Sequence, residues 1–529
     1  MGSVSWFLAG AGGRRAQSTA FALALLASAC TIPIREPRLH DPSSVPTAAK
    51  GTAELKAHMS SGELIVLSQW RVSPDGTRLT GVGDRYDAAR TRLTERPKTV
   101  DVALADVVLF ETDTAKGEFS ASLGFLGTVG FVVSSITLYC SVSPKSCFGS
   151  CPTFYVLDPQ GREPDRPQAE GFSESIARVL EARDVDALRV TRPAGSKVQI
   201  VMRNEALETH AVRRVGLLAI QPPPGGRVLA GTDDRFYPAT AVTAPLECRA
   251  PEGDCLDAVR EAGGTERASK ADPADLAARE TLDLTFPAAA AGPHGIVIGA
   301  RQTLLSTYLF YQTMAFTGRR AGDFLASLER GGPAAGRRAL GMARALGAIE
   351  VSVAEAGGDW RAVGSFDEPG PIAGDVQVVP FAATGAGPLH VRLSLARGHW
   401  RLDWVALARL GDPVEPVRLA PERVEHDGHP DAEARSRLAT GQTHLVTQPG
   451  DAYRLTFRLP RGHGRFDLFL ESEGYYYEWM RQEWLAEEDP QMAWLAVADP
   501  AAALRRLAPA YKAREDRMER QFWESRFRR

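Results

Sequence analysis

The sequence predicts a mainly β fold with added α-helices (α+β). Short apolar segments with the two-residue alternation of strands recur along most of the chain. The 49 glycines and 35 prolines interrupt these segments at positions typical of turns. At roughly 100–200 residues per domain, 529 residues are enough for two to four domains. The net charge of −3 gives no overall attraction to nucleic acid, so no nucleic-acid partner is expected.

The first 29 residues are predicted to be a signal peptide. Arg14 and Arg15 precede the apolar run Phe21–Ala29, which is too short to span a bilayer as a permanent helix. The residues LASAC, ending at Cys30, resemble the lipobox of bacterial lipoproteins. That resemblance implies a lipid on Cys30 that holds the protein on a membrane. It also implies the outer membrane, because Thr31 follows the cysteine in place of aspartate. An ordinary secretory signal is the alternative.

The mature chain is predicted to start with a tether and a small β unit. Residues 30–55 are rich in proline, serine and charge, with no apolar period, which is typical of an extended linker. Residues 56–118 are predicted to form a small β-barrel-like unit. The strand Glu63–Val72 precedes the turn Pro74-Asp75-Gly76, and Thr99–Glu111 alternates again.

Residues 119–240 are predicted to form a cysteine-containing mixed β/α unit. Its segment Leu123–Leu138 is long enough to cross a membrane, but glycine, serine and threonine dilute it, so a buried helix or strand pair is favoured. Thr153–Leu157 is predicted to be a strand, and Ala169–Leu188 to contain a short helix capped by Ser173.

The rest of the chain is divided by its pattern into four segments. They are predicted to be a flexible loop region (241–285), a helical segment (286–348), a β-sandwich (349–473) and C-terminal helices with a basic tail (474–529).

The cysteines predict disulfides. With Cys30 lipidated, five of the six remain, and an odd number in an oxidising compartment leaves one without a partner in the chain. Cys248 and Cys255 are predicted to form a local disulfide. A second is predicted among Cys140, Cys147 and Cys151, with Cys147 and Cys151 as the candidate pair.

An alternative interpretation of Cys147 and Cys151 is a metal or redox site. The spacing C-x-x-x-C-P resembles the copper-binding motif of Sco-type copper chaperones. It implies Cu(I) held by these two thiolates, with Cys140 as a third ligand, in a periplasmic copper-binding or thiol-redox protein. A strand follows the motif here, whereas the Sco family places it between a strand and a helix.

Three other groups of residues are interpreted as structure in preference to sites. His426 and His429, with Glu425 and Asp431, are expected in a solvated loop. Glu205, Glu208 and His210 are expected at a strand-end turn with a hydrogen-bonded histidine. The aromatic residues are expected to pack helix on sheet, although a sugar-stacking platform is the alternative; they are Tyr475, Tyr476, Tyr477, Trp479, Trp484, Trp400 and Trp404.

Several segments together resemble a group of uncharacterised bacterial envelope proteins. They are SCPTFYV, AEGFSESIA, LEARDVDAL, NEALETH, GPIAGD, ARGHWRLDWVAL, PGDAYRLTF and SEGYYYEW, which cover most of Cys147 to Trp479. The resemblance implies a common scaffold and carries no activity with it.

The sequence therefore predicts a lipid-anchored cell-envelope protein that binds a partner and is not an enzyme. Nucleophile elbows, zinc-protease, Walker A, EF-hand and dinucleotide-binding patterns are all absent in convincing context. The expected partner is an envelope protein or a carbohydrate, without a cofactor.

Overall fold

The computed structural model describes residues 31–40, 55–59, 63–86, 92–120, 151–206, 208–263, 265–355, 358–367, 370–385, 387–478 and 487–524. Of these described residues, 48% are in strands and 20% are in helices, which confirms the predicted mainly β fold with helices.

The strands run along almost the whole described chain. They are, in chain order, β1 (Thr31–His40), β2 (Leu55–Met59), β3 (Leu64–Val72), β4 (Arg78–Tyr86), β5 (Lys98–Ala103), β6 (Val107–Ser120), β7 (Thr153–Val156), β8 (Ala169–Glu170), β9 (Ala182–Pro193), β10 (Lys197–Arg203), β11 (Glu208–Ile220), β12 (Arg227–Gly231), β13 (Phe236–Thr243), β14 (Glu247–Ala250), β15 (Gly253–Asp254), β16 (Arg267–Ala268), β17 (Arg279–Ala288), β18 (Gly292–Gln302), β19 (Ile349–Glu355), β20 (Arg361–Phe366), β21 (Asp375–Ala383), β22 (Pro388–Ala396), β23 (Trp400–Leu410), β24 (Val417–Leu419), β25 (Arg423–His426), β26 (His429–Pro430), β27 (Leu445–Thr447), β28 (Ala452–Arg458) and β29 (Arg465–Glu478).

The described helices lie in the second half of the body, apart from one short turn of helix. They are α1 (Leu256–Val259), α2 (Leu305–Thr317), α3 (Ala321–Ala339), α4 (Gly341–Leu346), α5 (Ala432–Thr440), α6 (Pro490–Ala498), α7 (Pro500–Lys512) and α8 (Glu515–Glu524).

The N-terminal unit is a six-stranded sheet in the order β1-β6-β2-β3-β4-β5. Its core includes Leu55, Leu67 and Phe110, which are fully buried. The tether prediction is wrong for residues 31–40, which form β1 and pair antiparallel with β6. An edge strand tolerates proline, because one side of its backbone needs no ladder bonds, so a proline-rich segment can still add to the sheet.

Four more sheets make up the body. The second sheet has the order β26-β25-β28-β10-β7-β8, and the third has β24-β11-β29-β9 with β27 also on β11. The fourth has β13-β12-β21-β18-β23-β16, and its β13–β23 pairing closes five strands into a ring. The fifth has the order β15-β14-β17-β22-β19-β20.

Alternating apolar side chains place a core on each face of the middle sheets. Along β11, Leu217 contributes to the core that includes second-sheet residues, whereas Leu218 contributes to the core that includes fourth-sheet residues. Along β18, Val297 joins that same core, and Ile298 joins the core with the fifth sheet. Since neighbouring residues of a strand point to opposite faces, each strand supplies two cores.

The helices form a further core beside the sheets, containing Leu309 of α2 and Leu507 of α7. Two of the C-terminal helices, α6 and α7, begin directly after an N-capping aspartate. Asp489 accepts N–H bonds from the first turn of α6, and Asp499 does so for α7, each followed by a proline at the first helical position.

The helix predicted within Ala169–Leu188 is wrong. Only a single 3-10 turn forms, at Arg178–Leu180, and β9 begins at Ala182. Residues from Ala182 onward pair antiparallel with β29, so long-range ladder bonds decide the conformation over local helical periodicity.

Residues 241–285 are not a flexible loop region. They contain the whole of β14, β15, β16 and α1, and Arg267 is buried in ion pairs with Glu280 and Glu252, both at 2.8 Å. The segment 349–473 is not a separate sandwich, because its strands pair with earlier ones, as β28 does with β10. Tyr475–Tyr477 belong to β29 and not to a C-terminal helix.

The predicted disulfide between Cys248 and Cys255 is confirmed. It closes a short loop, with a sequence separation of 7, onto the fifth sheet. Replacing both cysteines with serine is expected to lower the free energy of unfolding by about 2–3 kcal/mol, because the open loop gains entropy in the unfolded chain. Urea denaturation of the oxidised protein and the double variant measures the difference; identical midpoints would contradict the expectation.

Candidate functional site

Two adjoining cavities open between the sheets and the helices. The first, here called the polar cavity, has a volume of about 310 Å³. The second, here called the amphipathic cavity, has a volume of about 380 Å³. Glu174 and Asp367 line both of them, so the two cavities meet at these carboxylates. Volumes of this size suit a small molecule.

The polar cavity is built from several parts of the chain. The segment between β8 and β9 brings Ser175, β9 brings Asp184, the turn between β12 and β13 brings Asp234 and Arg235, and β21 brings Gln377. The remaining lining residues are Phe172, Glu174, Ala182, Arg183, Val185, Ala230, Gly231, Thr232, Phe236 and Asp367.

The amphipathic cavity is lined by both apolar and polar side chains. Ile176, Phe310 and Leu340 are among the apolar ones. The polar groups are Ser173, Glu174, Gln302, Ser306, Thr307, Arg344, Asp367 and His399. Cys151, Tyr311, Ala343, Gly347, Gly370, Pro371, Ile372 and Tyr476 complete the wall.

Three charged side chains at the junction have no ion-pair partner within the described chain: Glu174, Asp367 and Arg344. Removal from bulk water raises the pKa of Glu174, and the negative charge of Asp367 raises it further, while Arg344 opposes both effects. The pKa of Asp367 is raised by desolvation as well. All three residues are exposed and line a cavity, so a ligand can reach them.

Each cavity also has a buried polar atom that lacks a hydrogen-bond partner. Ser175, at 0% exposure, lines the polar cavity with an unpartnered Oγ. His399, at 2% exposure, lines the amphipathic cavity with an unpartnered Nδ1. Burial, followed by the positive charge of Arg279, lowers the pKa of His399 to about 3, so the imidazole is neutral. Unsatisfied buried polar atoms are costly, and a ligand that pairs with them recovers that energy.

Buried carboxyl groups surround the wall of the polar cavity. Burial, followed by the charge of Asp375, raises the pKa of Asp184 to about 7. Burial raises the pKa of Asp186 and Glu170 well above their usual range. Asp184 is held by N–H bonds from Phe172 (3.0 Å) and Val185 (2.9 Å).

A glycine-rich turn before β21 holds two of the buried carboxyl groups in this region in place. Ile372 donates its N–H to Glu170 Oε2 at 3.0 Å, and Asp375 Oδ1 accepts the N–H of Ala187 at 2.7 Å. Gly370 has a φ of +129°, and a Cβ there would lie 1.3 Å from Glu170 Oε1. Only glycine fits this approach.

Asp184 makes stability depend on pH in a defined direction. Its carboxyl group titrates at about 7 when folded, against an ordinary value of 3.8. Between these values the folded protein holds a proton that the unfolded chain has lost. Stability is therefore expected to fall as pH rises from about 4 to 7, by up to about 1.4 kcal/mol per pH unit.

The variant Asp184→Asn is expected to make this pH dependence shallower, measured as urea midpoints across the same range, while the other buried carboxyl groups keep a slope of the same sign. Asp234→Asn is the control, because that carboxylate lines the same cavity but is exposed, and it should keep the slope of the parent protein. A slope unchanged in Asp184→Asn would contradict the assignment.

The candidate pair Cys147–Cys151 is wrong, because the Cys151 thiol is free and buried. Burial raises the pKa of Cys151 well above its ordinary value, and Glu208 and Glu170 raise it further. A thiolate ligand for copper would have to form against that cost. Cys30, Cys140, Cys147 and the segment 123–138 lie outside the described residues.

The described residues contain no group of three or more histidine, cysteine or acidic side chains placed to hold a metal ion. Over the same part of the chain, every helix is too short or too polar to cross a membrane.

The other predicted groups are structural where they are described. His210 Nε2 lies 2.8 Å from Glu208 Oε1, with both residues buried, and the Tyr155 hydroxyl donates to Glu205 at 2.7 Å. Asp427 and Gly428 form the turn between β25 and β26, both with positive φ.

Most of the aromatic residues that the structure describes pack in the protein interior. Packing was the interpretation preferred over a sugar-stacking platform. Tyr476, Tyr477, Trp400 and Trp404 are buried, while Trp479 and Trp484 lie outside the described residues. Of the buried four, Tyr476 lines the amphipathic cavity, and Trp404 lines a separate cavity of about 440 Å³.

The cavity residues were not predicted from the sequence. Glu174, Arg344 and Asp367 lie far apart in the chain, and no motif with a defined spacing connects them. A signal was present all the same. The segments AEGFSESIA, ARDVDAL, GPIAGD and ARGHWRLDW, which carry the resemblance to envelope proteins, each contribute residues to the cavity walls or to the carboxyl groups beside them.

No protein-family profile and no curated protein matches the chain. Among solved structures, a family 31 α-xylosidase from Xanthomonas citri has a TM-score of 0.16 and 10% identity, covering 81% of this chain and 37% of the enzyme. The secreted serine protease VesC from Vibrio cholerae has a TM-score of 0.14 and 7% identity, covering 71% and 98%. Likenesses this weak carry no conclusion about fold or activity.

Proposed function

We propose that this protein is a lipid-anchored component of the bacterial cell envelope that binds a carbohydrate in the two adjoining cavities, without chemical turnover. The observation that carries the proposal is the pair of cavities joined at Glu174 and Asp367. Their volumes and mixed lining are typical of a small-molecule binding site.

A carbohydrate matches the lining in chemical type. Sugar hydroxyl groups donate and accept hydrogen bonds, and the walls offer carboxylate, guanidinium, amide and hydroxyl groups such as Asp184, Arg344, Gln377 and Ser175. The apolar faces of a sugar ring can pack against the Phe310 side of the amphipathic cavity.

The location in the cell envelope is supported by the lipobox-like sequence ending at Cys30 and by the Cys248–Cys255 disulfide. Disulfides persist in oxidising compartments and are rare in the cytosol. Export and lipid anchoring would place the cavities where envelope carbohydrates are found.

Labelled palmitate tests the anchor. Cells producing the full chain are expected to incorporate label into the protein, and Cys30→Ala is expected to abolish it. A protein that takes up no label, or a Cys30→Ala variant that keeps it, would refute the anchor.

A glycan array tests the binding. The full chain, purified in detergent, is expected to retain a subset of sugars, and competition with the free sugar should release it. Retention of no sugar, or hydrolysis of the retained sugar on prolonged incubation, would refute a non-enzymatic carbohydrate-binding function.

A further inference from the structure

We infer that the carbohydrate is an amino sugar, whose ammonium group lies at the junction of the two cavities between Glu174 and Asp367. The inference rests on the proposed function and adds the chemical class of the ligand. It depends on the charges at the junction, on the lining of the polar cavity and on two buried polar atoms.

The junction has two carboxylates and one guanidinium group, none of which is neutralised by an ion pair among the described residues. Glu174 and Asp367 both line each cavity, so a group bound between them is accessible from either side. Two neighbouring carboxylates repel each other, and a cation placed between them stabilises both charges. Glu174 and Asp367 outnumber Arg344, which leaves the junction one negative charge in excess.

The polar cavity adds to this excess. Besides Glu174 and Asp367, its acidic residues are Asp234 and Asp184, the latter only partly ionised near pH 7, against Arg183 and Arg235. Both arginines already have partners, since Arg183 pairs with Glu471 and Arg235 with Asp233, each at 2.5 Å. The field inside the cavity therefore favours a cationic ligand over a neutral or anionic one.

Two buried side chains point to a ligand independently of these charges. Ser175 Oγ in one cavity and His399 Nδ1 in the other have no partner, although both residues are more than nine-tenths buried. The neutral imidazole and the serine hydroxyl are suitable partners for sugar hydroxyl groups on either side of the ammonium group. A simple metal cation or small amine would leave both atoms unpaired.

The test uses two sugars that differ only at nitrogen. A β-linked glucosamine disaccharide and its di-N-acetylated form are titrated calorimetrically into the full chain in detergent at about pH 7, where most of the amine is protonated. The amine form is expected to bind at least tenfold more tightly. Glu174→Gln and Asp367→Asn are each expected to reduce that ratio by about tenfold, and Glu247→Gln, an exposed carboxylate on β14, should leave it unchanged.

The variant Arg344→Gln is expected to change the affinity for the amine form in the opposite direction. Removing its positive charge should strengthen binding of the amine form by a fewfold, while a merely damaged site would weaken it. Equal binding of the two sugars, or a preference that survives in both carboxylate variants, would overturn the inference and leave the carbohydrate function standing. Binding of neither sugar in these titrations would overturn the inference, and an array that also retains no glycan would overturn the proposed function.

Discussion

Gly370→Ala is expected to lower the free energy of unfolding by about 3–5 kcal/mol. Its φ of +129° disfavours any residue with a side chain. The added Cβ would also lie 1.3 Å from Glu170 Oε1, so the buried carboxyl group would have to move. That movement would break its bond from Ile372 N–H at 3.0 Å and leave a buried donor unpaired.

Gly161→Ala is the matched control for this prediction. Gly161 has a φ of +78° and no heavy atom within 4 Å of the Cβ position, so only the backbone penalty of about 1 kcal/mol applies. Urea denaturation followed by tryptophan fluorescence measures both variants. Equal losses would show that the contact with Glu170 contributes nothing.

Arg301→Met is expected to cost about 3–5 kcal/mol of stability. The Arg301 side chain, at 4% exposure, pairs with Glu266 at 2.7 Å and with Glu519 of α8 at 2.5 Å. It also donates to the Pro371 carbonyl at 2.8 Å, which ties the glycine-rich turn to the C-terminal helix. Removing the cation leaves Glu266 and Glu519 with Arg401 as a remaining ion-pair partner in the described chain, and takes a donor from the buried Pro371 carbonyl contact.

Arg458→Met is the control for Arg301. Arg458 pairs with Glu422 at 3.0 Å on the surface, where both side chains are more than a third exposed. Its loss is expected to cost less than about 1 kcal/mol. The same denaturation experiment compares the two, and a surface variant as damaging as the buried one would contradict the account.

Local pattern predicted the fold class but not how the chain is connected. Local pattern identified β3 within Glu63–Val72 and β7 within Thr153–Leu157, because both strands bury apolar side chains. It could not show that β28 pairs with β10, about 250 residues earlier. The hydrogen bonds of a sheet join backbone groups, so the side-chain sequence of a strand does not specify its partner strand. The short helix predicted within Ala169–Leu188 failed for the same reason, since β9 begins at Ala182 and its conformation depends on β29.

The candidate site could not be predicted from local sequence pattern. Glu174 follows β8, Arg344 lies in α4 and Asp367 follows β20, so the junction exists only after the sheets and helices have packed. Cys248 and Cys255 were predictable because their pairing is local. Cys151 shows the opposite case, since its burial and free thiol depend on residues distant in sequence.

Blocking each cavity in turn tests the central claim that the two cavities form one carbohydrate-binding site. Ala182→Trp fills the polar cavity and Ala343→Trp the amphipathic cavity, without removing any charge. Ala345→Trp, on the same helix as Ala343 but exposed and outside the cavity lining, is the control. Calorimetric titration with the glucosamine disaccharide is expected to show at least tenfold weaker binding for both blocked variants and no change for the control. Affinity that is unaltered in Ala182→Trp and Ala343→Trp would contradict the account.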